Sequence, residues 1–144
     1  MDAGCSSKRS LRRPAVLAAV AFIAFFIWIV VIADEGQGTP WWSVIVDHLP
    51  YGDKVGHFCL IATMSFLCNR AFPSRQHGLL PRFITVTTLV LLFVLSLEEL
   101  SQGFIKSRHL DFFDWLADLA GLAVGQFCAM KIRGCFKSPA TTGP

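Results

Sequence analysis

The chain has 144 residues, enough for one domain at most. Hydrophobic residues make up 53% and charged residues only 16%, less charge than a soluble domain of this size normally carries. The net charge of +3 lacks the basic stripe with interleaved aromatics that nucleic-acid recognition needs, and the apolar excess, gathered in blocks, points to several membrane spans.

Residues 1–14 read as a basic tail without periodicity. Ala15 to Ala33 is an unbroken apolar run that spans about 28 Å as a helix, close to the thickness of a bilayer's hydrocarbon core. A cleaved signal peptide is the competing reading; the run exceeds the usual h-region of roughly 7–15 residues, which favours a retained first span. Asp34 to Asp53 forms a loop broken by Gly36, Gly38 and Pro40, with Trp41 and Trp42 as interfacial anchors. A second span is expected from about Lys54 to Phe72 and a third from about Phe83 to Gln102. The fourth runs from about Asp111 to Ile132, and residues 134–144 read as a disordered tail. The expected architecture is all-α, a four-helix transmembrane bundle within residues 15–133.

Orientation follows from loop charge. With the N-terminus inside, the cytoplasmic segments hold Lys8, Arg9, Arg12, Arg13, Arg70, Arg75, Arg82, Lys131, Arg133 and Lys137, against Lys54, Lys106 and Arg108 outside. This positive-inside bias places both termini in the cytoplasm. Cys5, Cys59, Cys68, Cys128 and Cys135 show neither CxxC nor metal-ligand spacing. No cofactor and no bound metal are expected.

In this topology the unusual polar residues collect at the outer end. Asp53, Lys54 and His57 open the second span, and Glu98, Glu99 and Gln102 close the third. Arg108, Asp111 and Asp114 precede or open the fourth, with Asp118 about 10 Å further along. Asp111, Asp114, Asp118, Gly121 and Gly125 step by three and four, which puts them on one helical stripe. Gly121 and Gly125 form a small-xxx-small pair suited to close helix packing. Carboxylates inside a bilayer cost roughly 2.5–3.5 kcal/mol on insertion scales, so they need a partner or a task.

The pattern Asp53-Lys54-x-x-His57, Glu99-x-x-Gln102, Arg108-x-x-Asp111-x-x-Asp114 and Gly121-x-x-x-Gly125 resembles the VanZ-like membrane family. The resemblance runs from the first span to about Gly125. One position departs from it: Asp118 stands where the family usually has Asn. The resemblance implies a small multi-pass protein of the bacterial cytoplasmic membrane, and it carries an association with resistance to the glycopeptide teicoplanin.

Three functions compete for the outer cluster. The first is binding of a polar or lipid-linked envelope component, with Arg108 as the anion contact and Lys54 as a supporting charge. Internal pairing is the plain alternative, Arg108 with Asp111 or Asp114 and Lys54 with Glu98 or Glu99. The second is a membrane enzyme acting on a lipid-linked substrate, with His57 as general base oriented by Asp53 or Glu99. Asp114, Asp118 and Glu99 also offer the hard oxygen ligands of a divalent cation. The third is ion or proton movement, disfavoured by the lack of an acidic or histidine relay in the cytoplasmic half. The oligomeric state is not legible in the sequence.

Overall fold

The computed structural model describes residues 3–35, 51–72, 84–102 and 112–135. These residues form four helices and no strand: α1 (Ala3–Glu35), α2 (Gly52–Ala71), α3 (Val86–Gln102) and α4 (Phe112–Cys135). Helix α1 begins well before the expected span, so much of the basic tail is helical. Pro14 lies inside it. Proline removes one backbone hydrogen bond, at a cost of about 3 kcal/mol in a helix interior. It does not stop good helix formers such as Leu11, Arg12 and Arg13 from extending the same helix.

Two segments, Arg13–Ile32 of α1 and Phe112–Ile132 of α4, are long and apolar enough to cross a membrane. The other two expected spans fall short of that measure. Helix α3 has only 17 residues, and α2 is diluted by Asp53, Lys54, His57, Asn69 and Arg70.

The helices pack around α2. Its interface with α4 is the most extensive in the bundle, and α1 also lies against α2. Contacts between α2 and α4 advance in the same sense along both helices, from Lys54 with Asp114 and His57 with Asp118 to Ser65 with Leu122. These two helices are therefore parallel. Helix α3 runs the other way: Thr85 at its start meets Asn69 and Gln126, while Ser96 near its end meets Trp115.

Glycine makes the α2–α4 contact possible. A Cβ on Gly121 would lie 2.7 Å from the Phe58 carbonyl oxygen and 3.0 Å from the Ala62 nitrogen. A Cβ on Gly125 would collide with the Ala62 carbonyl oxygen. The two backbones touch where these side chains are missing, as small residues permit between apolar helices.

The interior combines an apolar core with several buried polar side chains. Ser65, Asn69, Thr85, Glu99, Asp118 and Gln126 are buried alongside Ile61, Met64, Leu95 and Leu122. The outer faces carry Leu17, Phe25 and Trp28 of α1, Val90, Phe93 and Leu97 of α3, and Phe113, Leu116 and Phe127 of α4, all exposed.

Candidate functional site

Three helix ends meet at one end of the bundle: the starts of α2 and α4 and the finish of α3. The parallel register of α2 and α4 pairs their first two turns. Lys54 Nζ lies 3.0 Å from Asp114 Oδ1 and 3.2 Å from Asp53 Oδ2. One turn further in, His57 Nδ1 lies 3.2 Å from Asp118 Oδ1. Asp53 and Asp114 sit in the first turns of their helices, where the helix dipole favours negative charge.

The two layers differ in solvent access. Asp53 is 57% exposed at the mouth, and Lys54 and Asp114 retain 24% and 17%. Below them His57 is 30% exposed and Asp118 only 4%. Burial raises the Asp53 carboxyl, but the hydrogen bonds and charge of Lys54 outweigh it and hold the pKa below the ordinary aspartate value.

Glu99 comes down from α3 into the same neighbourhood, close enough to interact electrostatically with His57, Asp114 and Asp118. It is 3% exposed, and neither carboxylate oxygen has a hydrogen-bond partner among the described residues. It lines a cavity with Ser96, Leu100, Phe112 and Trp115.

The structure therefore brings Asp53, Lys54, His57, Glu99, Asp114 and Asp118 to one end. Arg108 and Asp111 lie outside the described residues, and Gln102 is described only as the last residue of α3. Lys54 bridges to Asp114 and Asp53, because the α2–α4 register sets Lys54 alongside the first turn of α4, and Glu99 accepts no hydrogen bond from it. His57 is held by Asp118, not by Asp53 or Glu99. Both His57 and Asp118 lie one turn below the Lys54–Asp114 pair, so the same register joins them. Among the described residues no three His, Cys, Asp or Glu side chains are gathered closely enough to hold a metal ion. The proposed ligand set of Asp114, Asp118 and Glu99 therefore does not assemble.

A second buried polar group lies at the opposite end and was not singled out from sequence. Asn69 donates to the Ser65 carbonyl (2.9 Å) and to Thr88 Oγ1 (3.0 Å). The Thr85 hydroxyl donates to Asn69 Oδ1 at 2.6 Å, and the Thr85 amide donates to Gln126 Oε1 at 3.1 Å. Thr85 precedes α3 and its hydroxyl accepts from the Thr88 amide at 3.2 Å, which caps the helix. The network ties α2, α3 and α4 together. Its sequence signals were the four-residue step from Ser65 to Asn69 and the place of Gln126 beside Gly125.

The geometry supplies a part-exposed ion pair, an imidazole with a carboxylate behind it, and one buried acid with no donor among the described residues. Comparison with known proteins returns no match: no family model, no curated protein and no solved structure.

Proposed function

We propose that the chain is a VanZ-like multi-pass protein of the bacterial cytoplasmic membrane. All four helices cross the bilayer, both termini are cytoplasmic, and the charged end faces outward. There it binds a polar or lipid-linked component of the cell envelope. A role in glycopeptide (teicoplanin) resistance belongs to the same proposal and rests on the motif resemblance alone. The bilayer is the first partner.

Membrane residence is supported by the distribution of polarity. Buried Asn, Gln, Glu and Asp lie inside a shell of exposed Phe, Leu, Val and Trp. Soluble monomers rarely expose apolar patches beyond a few hundred Å². A bilayer makes such a surface favourable and requires backbone polar groups to be paired internally, as they are in helices.

The observation that carries the binding role is the stacked pair Lys54–Asp114 and His57–Asp118. Two helices place a cation, an imidazole and three acids at one rim, with the Lys54 side chain still part-exposed. The test is lipid extraction from the purified protein. Lys54→Ala and Asp114→Asn lower the amount of co-purifying lipid, whereas Arg70→Ala at the other end does not. Unchanged lipid content in both rim variants contradicts the reading.

The His57–Asp118 contact also favours a second reading, a membrane enzyme acting on a lipid-linked substrate. Under this reading Asp118 accepts from Nδ1–H across the 3.2 Å contact and holds the tautomer that leaves Nε2 to take a proton. Under this reading His57→Ala abolishes turnover of a labelled envelope lipid while the protein stays folded.

A further inference from the structure

Glu99 is the buried carboxyl group that the pairs at the rim leave unexplained. A carboxylate removed from water without a donor is costly. The charged groups facing it are His57 of α2, Asp114 and Asp118 of α4, and Glu98 of its own helix. His57, the one base in that set, is already engaged by Asp118.

What Glu99 does face is a cavity of about 300 Å³ walled by Phe112 and Trp115. The Trp115 indole donates to Ser96 Oγ at 3.3 Å, so its ring is held by a bond that does not use Glu99. A carboxyl group beside two aromatic rings offers the recognition chemistry of an organic cation. Because the carboxylate lacks donors, a primary ammonium suits it better than a quaternary one: N–H groups give charge-assisted hydrogen bonds.

The same two helices frame a second cavity, about 540 Å³, with Leu89, Leu92, Leu119, Ala123 and Phe127 in its wall. Leu92 is one turn from Ser96, and Leu119 one turn from Trp115. The two cavities therefore follow one another along the α3–α4 seam. Among the described residues helix α3 covers α4 far less than α2 does, and Ala123, Val124 and Phe127 beside the seam are exposed.

We propose that this seam binds one amine-headed lipid. Its ammonium group sits at Glu99 between Phe112 and Trp115, and a hydrocarbon chain lies along Leu92, Leu119 and Ala123. This rests on the proposed membrane binding role and names the class of ligand.

Native mass spectrometry of the detergent-purified full chain tests it, with phosphatidylethanolamine and phosphatidylglycerol of identical acyl chains. Phosphatidylethanolamine is retained at least tenfold better. Dodecylamine displaces it and free ethanolamine at the same concentration does not; displacement by ethanolamine overturns the role of the chain. Glu99→Gln lowers phosphatidylethanolamine retention about tenfold and removes the preference. Ala123→Phe, at an exposed position in the seam, weakens both lipids. Wild-type retention in folded Glu99→Gln overturns the proposal; should that variant not fold, unchanged retention in Ala123→Phe does so. Loss in Lys54→Ala or Asp114→Asn, with none in Glu99→Gln or Ala123→Phe, sinks the seam and leaves binding at the rim standing. No change in any of the four sinks both.

Discussion

His57 Nδ1 and Asp118 Oδ1, 3.2 Å apart, join α2 to α4 one turn beneath the Lys54–Asp114 bridge. The pair is a structural tie as well as a candidate site. Asp118→Asn keeps an oxygen that accepts from His57, so this variant stays folded. Asp118→Ala removes it and destabilises by about 1–3 kcal/mol, the range for an orphaned buried donor. Combining His57→Ala with Asp118→Ala costs less than the two changes summed, by about 1 kcal/mol. Thermal unfolding in detergent across this cycle measures the difference.

The glycines of α2 and α4 respond in opposite directions to alanine. A methyl group on Gly125 meets the Ala62 carbonyl, and one on Gly121 meets Phe58 and Ala62 backbone. Backbone cannot yield as a flexible side chain can, so each substitution costs about 1–3 kcal/mol through overpacking. Gly56 has nothing within 4 Å of its Cβ position, and Gly56→Ala gains about 0.5–1 kcal/mol of helix stability. Midpoints of thermal unfolding for the three variants give the signs directly.

Asn69 holds the other end. Its side chain satisfies Thr85 and Thr88 at once, so Asn69→Leu removes a hydrogen-bond partner from both threonine hydroxyls and from the Ser65 carbonyl. The expected loss is about 1–3 kcal/mol, and α3 loosens first because it is tied to α2 largely through this network. Limited proteolysis after Thr85, compared with wild type, reports it.

The Asp53 carboxyl depends on its neighbour. Lys54 holds its pKa below the ordinary value against the effect of burial. The stabilisation is present above the unfolded-state pKa and is lost as pH falls through the lower, folded value. It is small, since Asp53 is more than half exposed. Lys54→Gln lets the Asp53 pKa rise, which NMR titration of that carboxyl detects.

Much of the rim was legible in the chain itself. The steps of three and four from Asp114 through Asp118 to Gly121 and Gly125 place these residues on one helical stripe, and that stripe is the face α4 turns to α2. Which cation meets which acid was not legible. That depends on the register between two helices whose paired residues, Lys54 and Asp114, lie sixty apart in the chain, and the register is set by backbone contact at glycine, to which periodicity is blind. The Asn69–Thr85–Gln126 network escaped for the same reason. Each member is an ordinary polar residue near a span end until α3 folds back. The basic tail misled in another way: residues 1–14 show no periodicity, yet α1 begins at Ala3 and passes through Pro14.

The most direct measurement is accessibility of the rim in intact bacterial cells. In a background with the five native cysteines replaced, Asp53→Cys and Arg13→Cys are each treated with a membrane-impermeant maleimide. If the charged ends of α2, α3 and α4 face outward, Asp53→Cys is labelled in whole cells and Arg13→Cys only after permeabilisation. Labelling of Arg13→Cys from outside, with Asp53→Cys protected, reverses the bundle in the membrane and contradicts an outward-facing site.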